Sequence, residues 1–347
     1  MTERERMVSG AKPKARDGAP HARVWALDDA DAGKPSHALD IAERLGVAFR
    51  RMPLSWNRMA PLAALLPNGS LLGLAQPDAA EMALDLPPGV ASPLLVVSSG
   101  SRSAAVAGWL RARFGAKLVH CVGSGLGGSV RPSGYDLLVA SEHDLPAPAA
   151  NLLQVVGAPH RVSPAALRQA TLQWSERLDH LPHPRVALLV GGRLRGRNLE
   201  PACAHALGRS VAGLVASQGG SVLASTSRRT GTEAADALAA GLGQVMHQIY
   251  RWGEPGENPY LGHLALADAV IVTADSISMM SEACATSAAV HVALPELAGP
   301  RQRHFLARMT QAGQVRMLGR TLGSWVRPPL DETGRVAEEI RRRFPLE

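Results

Sequence analysis

The stretch Val272–Glu282 (VTADSISMMSE) combines the end of a hydrophobic run with polar residues that could bind an anion. Asp275 and Ser276 can cap the helix that follows, and the free N–H groups and dipole at a helix start favour a phosphate. Ser278 and Glu282 are four residues apart and share a face, so the carboxylate can accept hydrogen bonds from a ribose diol. The alternative is that Asp275 and Ser276 only cap the helix.

Two arginine-containing loops also follow predicted strands in this half of the chain. Gly191–Arg197 (GGRLRGR) has two glycines that permit close backbone approach, and Ser225–Thr232 (STSRRTGT) adds hydroxyl groups and two arginines. Guanidinium groups bind phosphate oxygens in a fixed, forked geometry. A single such loop is usually a solvated turn. Two of them beside a helix start, all at the carboxyl ends of strands in one sheet, predict a diphosphate site.

The first half of the chain offers candidates for proton transfer. Asp29 and Asp31 lie in Leu27–His37 (LDDADAGKPSH), after the first predicted strand, and either could act as a general base. Acidic residues near a helix start are also common without any catalytic role. His143 follows the predicted strand YDLLVA and is a proton-transfer candidate, although a lone histidine is more often structural.

Several other kinds of site are disfavoured. No pair of histidines lies four residues apart near a carboxylate, so no metal site is expected, and no cofactor is expected either. The chain contains no P-loop, no G-x-G-x-x-G after a strand and no G-x-S-x-G elbow. The three cysteines are far apart in the sequence and form no C-x-x-C pair, which indicates a reducing compartment.

Composition and charge favour a globular protein with an anionic partner. The 347 residues are 46% hydrophobic and 19% charged, and the formal net charge is +7. A basic balance suits phosphates, nucleotides, acidic lipid surfaces or nucleic acid. Nucleic acid is the least favoured, because the arginines are not interleaved with aromatic residues. With no secretory signal and no apolar run of about 18 residues, we expect a cytoplasmic protein, with peripheral contact to the inner membrane face left open.

Short hydrophobic runs alternate with helical periodicity along the whole chain. Two successive series of this kind predict an α/β protein with two Rossmann-like, doubly wound parallel sheets that face each other across a cleft. We expect a disordered basic tail (1–22), an N-terminal acceptor domain (23–162), a connecting helix and linker (163–184), and a C-terminal nucleotide-binding domain (185–318). The last segment (319–347) is expected to carry a C-terminal helix.

Several segments together resemble the mitochondrial-fission ELM family, in its bacterial branch. They are WALDDADAG, SEHD with NLLQVVGAPHRV, LLVGG, TSRRT and ENPYLGHLALADAVIVTADSISMMSEACAT. The resemblance runs from about Val24 to about Phe305 and is most specific over Glu257–Thr286. That family is similar in turn to glycosyltransferases of the GT-B fold, whose C-terminal half binds a nucleotide-sugar.

The resemblance implies a role for individual residues. Glu282 would hold the ribose, Ser276 and Ser278 would lie near the diphosphate, and the C-terminal helix would cross back onto the first domain. The complete predicted nucleotide-sugar site is Gly192, Arg193, Arg195, Ser227, Arg228, Thr230, Asp275, Ser276, Ser278 and Glu282.

Three hypotheses about function follow. The first is an inverting, metal-independent glycosyltransferase-like enzyme that uses a nucleotide-diphosphate sugar and an envelope lipid or polysaccharide acceptor. In it Asp29 or Asp31 is the base and arginines neutralise the departing diphosphate. The second is a nucleotide-sugar epimerase on the same fold, in which His143 and His37 would matter more. The third is a non-catalytic scaffold that contacts a membrane or a partner protein.

Overall fold

The computed structural model describes residues 21–29, 36–60, 69–75, 91–122, 132–141, 148–194 and 197–346. These residues form two compact units. Unit 1 comprises the described residues up to 155 together with those from 333 onward, and unit 2 comprises residues 156–332. Each unit is built on a six-stranded parallel sheet.

The sheet of unit 1 has the strand order β2-β1-β3-β4-β5-β6. Its strands are β1 (Val24–Asp28), β2 (Phe49–Pro53), β3 (Leu95–Ser99), β4 (Lys117–Cys121), β5 (Leu137–Ser141) and β6 (Leu152–Val155). Its described helices are α1 (His37–Leu45), α2 (Ser101–Phe114) and, from the end of the chain, α9 (Glu332–Arg343).

Both faces of this sheet are covered by helices. Side chains alternate across a strand, so successive residues of β1 point to opposite faces. Val24 packs in one cluster with Ile41 of α1 and Ile340 of α9. Trp25 packs in another with Leu110 of α2. Burial on both faces explains why this strand reads as a continuous hydrophobic run.

The sheet of unit 2 has the strand order β11-β10-β7-β12-β13-β14. Its strands are β7 (Arg185–Val190), β10 (Ser221–Thr226), β11 (His247–Tyr250), β12 (Ala269–Thr273), β13 (Ala289–Ala293) and β14 (Arg316–Met317). Its helices are α3 (Pro164–Leu178), α4 (Pro201–Ala216), α5 (Thr232–Leu242), α6 (Tyr260–Leu266), α7 (Ile277–Cys284) and α8 (Pro300–Gln311). Counted along the chain, the strands lie in the order 3-2-1-4-5-6 of dinucleotide-binding folds. The predicted fold class, two parallel Rossmann-like sheets, is confirmed.

The helix predicted as a connector between domains is part of unit 2. The Ser163 side chain accepts a backbone N–H of the first turn of α3 at 3.1 Å, and Pro164 is the first helical residue. Trp174 is buried and packs in a cluster with Leu261 of α6. The segment 163–184 therefore contributes to the core of unit 2.

The structure contains two features that the sequence pattern does not predict. β2 is an edge strand with the sequence FRRMP, and its two arginines hide the strand signal. Inside the loop GGRLRGR, the two-residue strands β8 (Arg193–Leu194) and β9 (Arg197–Asn198) pair as an antiparallel hairpin. None of the helices in the described ranges is long and apolar enough to cross a membrane.

Candidate functional site

The carboxyl ends of three neighbouring strands meet at one edge of the sheet in unit 2. β10, β7 and β12 are adjacent and parallel, so their following loops emerge side by side. These loops are Gly191–Gly192, 227–230 and 274–276, and the last leads directly into α7. In open α/β sheets this edge is where ligands bind.

Hydrogen bonds join the three loops to one another. The Gly191 N–H donates to Oγ1 of Thr273 at 2.9 Å. The Ser227 hydroxyl donates to the Gly191 carbonyl at 3.1 Å, and the Thr230 hydroxyl donates to the Val190 carbonyl at 3.0 Å. Gly192, Ser227 and Thr230, which the sequence predicted to lie together, are therefore part of one hydrogen-bonded network.

Asp275 is the buried centre of this network. Its carboxylate accepts the Gly192 N–H at 2.9 Å and the Thr273 hydroxyl at 2.7 Å. The Arg229 guanidinium lies 3.6 Å from the same carboxylate. A buried carboxylate is tolerated only where hydrogen-bond donors and a positive charge compensate it, and Asp275 has two donors and one positive charge. Asp275 thus holds the backbone of Gly191–Gly192, which we call the glycine loop, in place.

The two glycines of the first loop leave no room for side chains. A Cβ on Gly191 would lie 2.2 Å from an Asp275 carboxylate oxygen. A Cβ on Gly192 would lie 2.4 Å from the Cα of Thr230, and Gly192 also has φ of 151°. Glycine is required at both positions because the neighbouring loops approach so closely.

Helix α7 is fixed at both ends. The Ser276 side chain caps it by accepting the Met279 N–H at 3.4 Å. At the other end, the buried Arg327 donates to the carbonyls of Ala283 at 3.2 Å and Cys284 at 2.8 Å. Ser278 and Glu282 lie one turn apart on this helix, so their positions relative to the glycine loop are held by the same contacts.

Glu282 is half-buried and hydrogen-bonded. The Tyr260 hydroxyl, on α6, donates to Oε2 of Glu282. Burial raises the pKa of Glu282 above its ordinary value, while the Tyr260 hydrogen bond and the positive charge of Arg161 act in the opposite direction. The arrangement holds the carboxyl group in the last turn of α7 in a defined orientation.

The arginines predicted to bind the diphosphate lie in the segments that follow β7 and β10. Arg228 is exposed in the loop 227–230, and its neighbour Arg229 is the residue that reaches Asp275. Arg193 lies in β8. Arg195 lies outside the described residues, as do Asp31 and His143 of the predicted catalytic set and residues 1–20 of the predicted tail.

Asp29 lies in unit 1, directly after β1. Its Oδ1 accepts the Trp56 indole N–H at 2.6 Å and a guanidinium N–H of Arg102 at 2.8 Å. The Arg102 guanidinium also lies over the Trp56 ring, 5.2 Å from its centroid. The carboxylate is therefore held in place at the carboxyl end of the sheet. His37, the other unit 1 candidate, lies 4.0 Å from the Asp40 carboxylate on α1.

Several of these partners were not predicted from the sequence. Trp56 and Arg102 are 27 and 73 residues from Asp29, and no local pattern links residues at such separations. Arg229 stands beside Arg228 in the quoted loop, so composition alone could not choose between them. Tyr260 follows Asn258–Pro259 in ENPYLG, 22 residues before Glu282, and only the tertiary fold brings the two side chains together.

The family model described as Mitochondrial fission ELM1 matches residues 32–344. The chain belongs to this family. The expectation drawn from the sequence segments is confirmed. The match includes every strand end of unit 2 discussed above, whereas β1 and Asp29 of unit 1 precede it.

Two relatives show how far the sequence similarity extends. The Mitochondrial fission protein ELM1 of Arabidopsis thaliana is 32% identical over 200 residues, which cover 57% of this chain and 46% of the plant protein. The match therefore spans less than half of that protein's length. The uncharacterized protein RP120 of Rickettsia prowazekii (strain Madrid E) is 22% identical over 92% of this chain and 97% of its own length.

The fold has a solved counterpart. UDP-GlcNAc 2-epimerase from Methanocaldococcus jannaschii superimposes with a TM-score of 0.56 at 14% identity, covering 92% of this chain and 99% of that chain. At this identity the similarity establishes a shared fold, of the GT-B type.

Proposed function

We propose that the chain binds a nucleotide-diphosphate sugar at the strand-end site of unit 2 and acts as a glycosyltransferase-like enzyme. The observation that carries the proposal is the network that joins Gly191–Gly192, the loop 227–230 and the segment 274–276 before α7, with Glu282 about two turns along the chain from Ser276. The structural counterpart named for UDP-GlcNAc shares this fold, which supports the same ligand class.

In this proposal each part of the site binds one part of the donor. The start of α7, with Ser276 and Ser278, binds the diphosphate, because its N–H groups donate to phosphate oxygens and its dipole attracts negative charge. Glu282 accepts hydrogen bonds from the ribose diol. The positive charge that stabilises the leaving diphosphate comes from arginines rather than from a metal. These arginines are Arg193, Arg195, Arg228 and Arg229.

Asp29 is the proposed general base of an inverting transfer. Its carboxylate would take the proton of an acceptor hydroxyl as that oxygen bonds to the anomeric carbon and the nucleotide diphosphate departs. Trp56 and Arg102 hold the carboxylate in position. Asp31 and His143 remain alternative candidates for proton transfer. We propose an envelope lipid or polysaccharide as acceptor, reached by a cytoplasmic protein at the inner membrane face.

Calorimetric titration with UDP, UDP-GlcNAc, GDP and GDP-mannose tests donor binding. We expect one nucleotide pair to bind, and Glu282→Ala to weaken that binding at least about tenfold, since a hydrogen bond to a charged group is lost. Glu257→Ala is the matched control, because Glu257 is exposed and paired with Arg177. Its affinity should stay within about twofold of the wild type. Absence of binding across the panel would refute the proposal.

Product analysis separates the two enzymatic hypotheses. An epimerase is the second candidate because the solved counterpart with this fold carries that name. Incubation with donor but no acceptor should leave the sugar's configuration unchanged if the chain is a transferase. Asp29→Asn should reduce transfer or donor hydrolysis at least about a hundredfold without changing donor affinity. A change of sugar configuration that survives this substitution would favour the epimerase.

A membrane-associated scaffold is the third candidate, because the family is described by fission and by no reaction. Co-sedimentation with vesicles of phosphatidylserine and of phosphatidylcholine tests contact with an acidic surface. Binding should require the acidic lipid and weaken at high salt, because the attraction is electrostatic. In the scaffold hypothesis Asp29→Asn leaves the cellular phenotype intact while substitution of surface arginines abolishes it.

A further inference from the structure

Tyr260 is placed by a rigidly anchored helix. Its N–H donates to Oδ1 of Asn258 at 3.0 Å, and its ring packs against the main hydrophobic cluster of unit 2. One turn further along α6, His263 is buried and hydrogen-bonds through Nδ1 to Ser225 at 2.8 Å and through Nε2 to Gln248 at 2.9 Å. The helix that carries Tyr260 is therefore tied to two strands of the sheet.

A second contact fixes the same helix from the other side. Gly262 lies directly against the Trp174 ring of α3, so close that a Cβ there would lie 2.4 Å from the ring carbon Cγ. With its ring packed and its helix held by two neighbours, Tyr260 has little freedom to move its hydroxyl group. The position of the Glu282 carboxylate is set by this fixed donor.

The hydrogen bond uses only one oxygen of Glu282. Tyr260 donates to Oε2, and among the residues that the structure describes no donor contacts Oε1. The Glu282 side chain is half-buried and not fully enclosed. One oxygen is committed to the protein and the other is available to accept.

The chemistry of the pair keeps the direction of this bond fixed. Burial, and next the negative charge of Glu282, raise the pKa of Tyr260 well above its ordinary value, so the hydroxyl stays protonated and donates. That hydrogen bond in turn opposes the effect of burial on the pKa of Glu282 and favours the ionised carboxylate. An ionised carboxylate is the stronger acceptor for a diol.

We propose that Tyr260 is a positioning residue that orients Glu282 toward the ribose hydroxyls and so makes the site select ribonucleotides over deoxyribonucleotides. The inference deepens the proposed function and rests on it. A residue that only packed in the core would affect all nucleotides equally. A positioning residue affects the ligands that have the hydroxyl groups.

Calorimetry with UDP and 2′,3′-dideoxy-UDP, and with the corresponding GDP pair, tests this role. We expect the wild type to bind the ribonucleotide at least about tenfold more tightly than its dideoxy counterpart, as loss of a charge-assisted hydrogen bond predicts. Tyr260→Phe should reduce that ratio to about threefold or less, while its affinity for the dideoxy ligand stays near the wild-type value. Tyr135→Phe is the matched control, since this residue lies in unit 1, and its ratio should not change.

The outcomes distinguish the inference from the proposed function. No binding of any nucleotide by the wild type would overturn the proposed function and the inference with it. Binding with an unchanged ratio in Tyr260→Phe, or an equal loss for both ligands, would overturn the inference alone. If Tyr260→Phe does not fold, Glu282→Gln gives the decision. Its ratio should also collapse, and a ratio that persisted would show that Glu282 does not contact the diol.

Discussion

Asp275 illustrates how a single side chain can have a different use from the one its motif suggests. The sequence predicted a helix cap or a ligand for phosphate. The structure instead has its two oxygens accepting from Gly192 and Thr273, with Arg229 nearby. A residue that braces a glycine loop affects binding through the shape of the loop. The charge that remains for an anion is then that of the arginines and of the helix start.

Two buried histidines make stability depend on pH. Burial lowers the pKa of His263 to about 4 and that of His120 to about 4, from an ordinary value of 6.5. The folded protein therefore keeps both neutral, whereas the unfolded chain binds a proton at each below about pH 6.5. We expect stability to fall as the pH is lowered from 6.5 toward 4, by up to ~1.4 kcal/mol per pH unit for each histidine. Urea unfolding at pH 7, 6 and 5 measures this.

The variant His263→Gln should flatten that dependence, because one of the two titrating groups is removed. His180→Gln is the control, since His180 is exposed on the surface of unit 2. Its pH dependence should match the wild type. A slope that His263→Gln left unchanged would mean that other groups cause the loss of stability.

Sequence reasoning located the loops of the site but not their internal contacts. Glycines, hydroxyls and arginines after hydrophobic runs are local patterns, and parallel strands bring such loops together at one edge. The partners of Asp29 and Glu282 are determined by tertiary packing between distant segments. For that reason Arg102, Trp56 and Tyr260 could be found only in the folded chain.

At the scale of elements, the close contact of α6 with α3 positions the residues that flank the site. Gly262→Ala places a methyl group against the Trp174 ring, and we expect a loss of about 1–3 kcal/mol from overpacking. Gly213→Ala is the matched substitution, because Gly213 lies in α4 with open space around its Cα. It should stabilise the protein by about 0.5–1 kcal/mol. Urea unfolding of both variants would show opposite signs, and equal effects would contradict this description of the α6–α3 contact.

Strands are easiest to predict where a run of apolar residues stands out from the polar residues around it. β12 contains such a run, AVIV, which follows Asp268 and ends at Thr273. β2 was not predicted, since an edge strand with arginines at two positions lacks the continuous apolar signal of a central strand. The hairpin β8–β9 is too short for any periodicity to indicate it.

At the scale of the whole molecule, the two units differ in how the chain builds them. Unit 2 is one continuous segment, whereas unit 1 needs α9 from the end of the chain. Val336, Ala337 and Ile340 of α9 are fully buried against one face of the unit 1 sheet. Burial of such side chains is worth about 1.5–3 kcal/mol each for the larger ones.

Fragments of the chain should therefore behave differently. We expect residues 156–332 to unfold cooperatively in urea, because this fragment contains its whole core. Residues 1–155 should show no cooperative transition, since α1 alone covers only part of the sheet face on which α9 packs. Restoring α9 by joining 333–347 to the first fragment through a flexible linker should bring the transition back. Cooperative unfolding of 1–155 alone would contradict the importance of α9.

The late arrival of α9 has a consequence during translation. At about 5–20 residues per second, roughly ten to thirty-five seconds separate synthesis of the sheet of unit 1 from synthesis of the helix that closes it. During this interval α1 covers part of that sheet face, but the apolar residues that pack with Val336, Ala337 and Ile340 lack their partners. Because transiently exposed apolar surface promotes aggregation, we expect the nascent chain to need ribosome-associated chaperones more than a protein whose domains are completed in sequence.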